Sequence, residues 1–173
     1  MRRTLLWALL AMLPVSAPAQ GIQAESESEQ TRLDRSEIAD LIARAGGMTA
    51  GLQQERIDRI WLSGDDSATP RSDFLFCTAM AYLGHQKAQA CLARAFEQGR
   101  GIVGDYTDAY VWYTIARENA AGDPGLLKEV ESGRARVEQT LLSVYPAPSA
   151  SDLEDAVSQK KEQIREAASE AGS

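Results

Sequence analysis

The stretch GHQKAQACLARAFEQGRGIVGDYTDAYVWYTIARENA, residues 84–120, constrains the fold more than any other part of the chain. Two runs of helical periodicity flank a Gly99-Arg100-Gly101 bend. Gly99 stands where a helix must end in a left-handed residue, a conformation that penalises any side chain. Gly101 lets the chain double back. Asp105 is placed to cap the following helix by accepting hydrogen bonds from its first unpaired amides. Ala109 and Ala116 are small enough for two helices to approach closely, and Trp112 and Tyr113 fill the space between them. The stretch reads as helix, tight turn, helix.

The same signals recur along the chain. Ile38, Leu41, Ile42 and Ala45 share a helical face that Gly46-Gly47 ends, and a second helix runs from about Ala50 to Leu62. Further helices are expected over about 72–83, 87–98, 105–119 and 125–145. Placing Thr69–Gly84 over Asp105–Ala120, an offset of about 36, aligns Phe74 with Tyr110, Phe76 with Trp112 and Thr78 with Thr114. Nothing alternates with period two, so the expected class is all-α. A period of this size belongs to stacked helix pairs, because one pair cannot cover its own apolar face.

Gly84, Ala88, Gln89, Leu92, Gly99, Gly101, Asp105, Tyr106, Ala109, Trp112 and Tyr113 together resemble the Sel-one-like repeat, a relative of the tetratricopeptide repeat. The likeness covers about 37 residues. It departs from the family pattern at Cys91, Ala93 and Ile102. The resemblance implies a short right-handed solenoid of antiparallel helix pairs with helical flanks. Its first helices would line a partner-binding surface carrying Lys87, Ala90, Arg94 and Glu97. Family members serve as protein–protein interaction modules or adaptors, and that is the function expected here.

The ends suggest an exported chain. Residues 1–19 combine Arg2-Arg3, an apolar run from Leu5 to Val15 and the small residues Ala17 and Ala19, the pattern of a cleavable signal peptide with a periplasmic destination. Residues 20–31 read as a disordered acidic leader, 32–66 as an N-terminal helical pair, 67–145 as the repeat core with a capping helix, and 146–173 as a linker and a solvent-exposed C-terminal helix. In that last segment Ser151 and Glu154 have capping-box spacing.

Cys77 and Cys91 lie seven residues either side of Gly84. In an antiparallel pair hinged there they would face each other, either as a disulfide, favoured in an oxidising compartment, or as two buried thiols. Composition narrows the partners. With 25 acidic and 18 basic residues the net charge is −7, unsuited to phosphate backbones or anionic headgroups. The expected partner is a protein of the cell envelope, with no nucleic acid and no membrane insertion once the signal is removed. No nucleophile elbow, phosphate loop or metalloprotease motif occurs, and the sole histidine, His85, sits at an inter-pair turn. The expectation is a non-enzyme without metal or cofactor. Two other classes stay open: a carbohydrate- or peptidoglycan-binding module stacking sugars on Tyr106, Tyr110, Trp112 or Tyr113, and a small hydrolase, dependent on His85, or an inhibitor.

Overall fold

A computed structural model describes residues 33–64, 69–144 and 146–171; the segments expected as a signal peptide and an acidic leader, and Asp65-Asp66, lie outside them. Among the described residues seven α-helices follow one another: α1 (Arg35–Gly46), α2 (Ala50–Ser63), α3 (Pro70–Tyr82), α4 (Gln86–Gln98), α5 (Tyr106–Asn119), α6 (Pro124–Ser143) and α7 (Ala150–Ala171), with a 3-10 turn at Ala120–Gly122. The described residues contain no strand.

Side-chain chemistry fixes most of the helix ends. Asp34 and Glu37 form a reciprocal capping box on α1, and Thr49 caps α2. Asp105 accepts from the amides of Thr107 and Asp108, and Asp123 from those of Gly125 and Leu126. Each cap satisfies donors that a helix start leaves unpaired, an effect of about 1 kcal/mol. For α7 the capping pair is shifted from the expected Ser151–Glu154. The Asp152 amide donates to the Ser149 hydroxyl at 3.1 Å, while Asp152 accepts from the Ser149 amide at 2.9 Å. Proline at 148 ends the preceding loop, and the helix begins as soon as this pair is available.

The recurrence extends further than the sequence alone suggests. The starts of α2 and α4 lie 36 residues apart, as do those of α3 and α5. Thr78 and Thr114, aligned by that offset, each donate to the carbonyl four residues earlier, Phe74 and Tyr110. Gln53 donates to the Ala45 carbonyl at 2.8 Å, and Gln89 repeats this bond to Ala81 at 3.2 Å. Both partners are displaced by the same 36 residues, so this one bond recurs at the repeat offset, although α1 packs chiefly on α3 and not on α2 as α3 does on α4.

α2 packs on α4 and α4 on α6, while α1 packs on α3 and α5 fits against both α4 and α6. The core runs continuously through these helices, from Ile42 and Ile57 through Leu92 and Trp112 to Val130 and Val137. Burying an aliphatic or aromatic side chain of this kind contributes about 1.5–3 kcal/mol before ordering costs.

One expectation is corrected here. The C-terminal helix is not wholly solvated: α7 lies against α5, α1 and α3, with Leu153 and Val157 buried. Its apolar residues are few but fall on one side, enough to seat the helix while Lys160 and Lys161 reach acidic partners on α5. Arg35 of α1 pairs with Glu166 and Glu170 at the other end of α7. The last helix therefore runs back to the first.

Candidate functional site

The four residues expected on the partner-binding surface share α4 but not a common fate. Lys87 pairs with Asp58 of α2 at 2.5 Å. Arg94 donates to the Trp61 carbonyl at 3.2 Å and lies 4.5 Å over that residue's ring. Glu97 accepts from the Tyr113 hydroxyl at 2.6 Å and from Arg136 of α6 at 3.0 and 3.1 Å. These three tie α4 to α2 on one side and to α5 and α6 on the other. Ala90 is fully buried, which corrects its placement on a contact surface: the helical register turns it into the core.

The ties alter proton affinities. Asp58 is held below the ordinary aspartate value, first by the Lys87 bond and then by Gln54. Burial and the bond to Glu97 push the Tyr113 hydroxyl well up, so it remains a donor. Sequence reasoning picked out Lys87, Arg94 and Glu97 but not their partners. Asp58, Trp61 and Arg136 lie 29 to 39 residues away, near the repeat period, and that spacing was the available signal.

His85 precedes α4 without capping it. Its Nε2 lies 3.0 Å from Gln54 Oε1, and Nδ1 is buried without a hydrogen-bond partner. Burial lowers its pKa, opposed by Asp58. Among the described residues no group of acidic, histidine or cysteine side chains is arranged to hold a metal ion.

Cys77 and Cys91 do meet, as the hinge at Gly84 predicts, with Sγ atoms 2.7 Å apart. The expected disulfide is nevertheless corrected: both are free thiols. Cys77 is wholly buried and Cys91 nearly so. Cys77 donates to Cys91, and that bond together with burial pushes the Cys77 thiol up.

The aromatic rings face inward for the most part. Trp112 and Tyr113 are 1% and 4% exposed, so neither is a platform for a sugar. Tyr110 is half-buried beneath Arg134, which donates to its hydroxyl at 3.0 Å. Tyr106 is exposed.

A cavity of about 1060 Å³ opens between α1, α3, α5 and α7. Ile42, Phe74, Tyr82, Phe96, Val111 and Trp112 contribute to its walls. α7 forms the side added last, so the cavity depends on the docking that composition left in doubt.

Fold and surfaces together define an all-α, repeat-like protein, with one cross-tied set of helices and a cavity on the other side. No family model, curated protein or solved structure matches the chain. No described helix is long and apolar enough to cross a membrane.

Proposed function

We propose that the chain is a non-enzymatic interaction module of the Sel-one-like type, a short solenoid that presents α2, α4 and α6 to a protein partner in the cell envelope. The observation that carries this reading is the linkage of those three helices by Lys87–Asp58, Arg94–Trp61 and Glu97–Arg136. A surface assembled from separate helices binds selectively when its shape is set before the partner arrives, since less ordering is required on binding. In this reading Lys87, Arg94 and Glu97 shape the surface more than they touch the partner. Contacts fall to exposed residues of the flanking helices, including Leu62 and Leu142, which are 83% and 68% exposed. Large exposed apolar side chains of this kind suit contact with a protein partner.

The test is crosslinking in intact envelopes followed by mass spectrometry of captured proteins. Leu62→Asp with Leu142→Asp is expected to abolish capture while helical circular dichroism is unchanged. Undiminished capture of the same partner by the double variant would overturn the assignment of this surface.

A further inference from the structure

We propose that the cavity between α1, α3, α5 and α7 binds an uncharged amphiphile, a molecule with an alkyl or aromatic body and a neutral oxygen acceptor at one end. At about 1060 Å³ it lies at the upper edge of the size range of small-molecule pockets. Ile42, Phe74, Phe96 and Val111 supply an apolar wall on which a hydrocarbon body gains by leaving water.

Two polar groups on the wall point to the acceptor. Tyr82 is 5% exposed and Trp112 is 1% exposed. Their rings pack edge-on, with centroids 5.5 Å apart. Neither the Tyr82 hydroxyl nor the Trp112 indole N–H has a hydrogen-bond partner among the described residues. Buried tyrosine and tryptophan normally find one. Neither atom is sealed off, since the only sealed and unpartnered side-chain atom among the described residues is His85 Nδ1. Both residues line the cavity. The indole only donates, and the hydroxyl donates or accepts. Burial and nearby Asp108 push the Tyr82 pKa up to about 12, which keeps its proton in place. An alcohol, amide or ester oxygen is the complementary group.

Charge is already used within the protein. Arg35 pairs with Glu166 and Glu170, and Lys160 lies 3.9 Å from Asp108. Asp105 serves as a helix cap. A charged ligand would have to break one of these pairs and leave its partner unmatched in a partly dehydrated site. Of the pairs joining α7 to α1 and α5, Arg35–Glu166 and Lys161–Glu118 are exposed, a kind that contributes little net stability, whereas Lys160–Asp108 is mostly buried.

The experiment is a fluorescence titration of the full chain with N-phenyl-1-naphthylamine, an uncharged probe, followed by competition. Saturable binding is expected, with displacement by dodecan-1-ol at lower concentration than by dodecanoate or dodecylammonium. Tyr82→Phe removes a hydroxyl that has no hydrogen-bond partner among the described residues. It should leave thermal unfolding unchanged and weaken competition by dodecan-1-ol about three- to tenfold, the worth of one hydrogen bond. Ala156→Trp, on the α7 wall, should reduce probe binding by filling space. Absence of saturable binding would overturn the proposal, as would equal or better displacement by either charged competitor. Titrations unaltered by both substitutions would place the probe elsewhere and overturn it too. Capture of a protein partner is read separately, so the two proposals fail independently.

Discussion

Gly133, inside α6, lies flat against the ring of Tyr113. A Cβ added at Gly133 would fall 2.6 Å from Tyr113 Cε1 and 2.7 Å from its hydroxyl oxygen, closer than side chains approach one another. The ring cannot swing away freely, because its hydroxyl is bound to Glu97. Gly133→Ala should therefore destabilise the protein by about 1–3 kcal/mol, the usual effect of overpacking, although alanine is the better helix former. Gly51→Ala is the control, since nothing lies within 4 Å of an added Cβ there. Urea denaturation should show a lower midpoint for the first variant and an equal or slightly higher one for the second.

The two glycines of the 99–101 bend should respond differently. Gly99 has φ +67° and no atom closer than 3.5 Å to an added Cβ. Asparagine visits this left-handed region, so Gly99→Asn should cost well under about 1 kcal/mol. Gly101 has φ +72°, and its Cβ would meet the Pro70 carbonyl carbon at 2.6 Å and Arg71 Cα at 2.8 Å. Those atoms belong to the backbone of α3 and cannot rotate aside. Gly101→Ala should be the more damaging change by about 2 kcal/mol or more. Thermal unfolding of the two variants side by side decides this, and equal losses would contradict it.

The bend also shows where sequence was informative and where it was not. Periodicity, caps and glycines placed the helices, because these signals act over a few residues. Gly101 was legible as a turn residue, but its contact with Pro70 joins neighbouring repeats and leaves no local trace. Gly133 carried no helix-end signal at all; its cause is a ring on another helix. The C-terminal helix looked solvated since composition reports how much apolar surface exists, not whether it falls on one side. Lys87, Arg94 and Glu97 stood out by their position in the repeat, yet only their partners reveal them as ties. Gln53 and Gln89 sit in stretches of otherwise modest likeness, so their shared bond to a preceding carbonyl became visible only in three dimensions.

Glu97 joins three helices, so removing it should cost more than removing one of its partners. Tyr113→Phe loses one hydrogen bond to a charged group, about 1.5–3 kcal/mol at most, and leaves Glu97 paired with Arg136. Glu97→Ala strands the buried Tyr113 hydroxyl and leaves the exposed Arg136 guanidinium to solvent. A double-mutant cycle with Arg136→Ala, read by chemical denaturation, should give a coupling energy of about 0.5 kcal/mol or more. Strict additivity would show that the contact contributes nothing.

The thiol pair should behave as two reduced, inaccessible cysteines. With Cys77 fully buried and Cys91 nearly so, alkylation of the folded chain should be slow, because both sulfurs are shielded from the reagent. Unfolding in denaturant without reductant should expose both to alkylation together. Intact-mass spectrometry checks this, and a chain that takes up label only after reduction would contradict the free-thiol state.

The pH dependence of stability follows from His85 and Asp58. Burial holds the imidazole below its ordinary value of 6.5, so the unfolded chain takes up a proton that the folded chain resists. His85 therefore contributes its full stability above about pH 6.5, and that contribution is lost as pH falls toward the depressed folded value. Asp58, lowered from 3.8 mainly by its bond to Lys87, contributes stability above that value and loses it only in stronger acid. Between pH 7 and 5 the histidine should dominate this pair. The urea midpoint should decline across that interval, and His85→Asn should flatten the decline by removing the titrating group. A variant that keeps the wild-type slope would show that another group takes up the proton and that the imidazole is less confined than its position beside Gln54 requires.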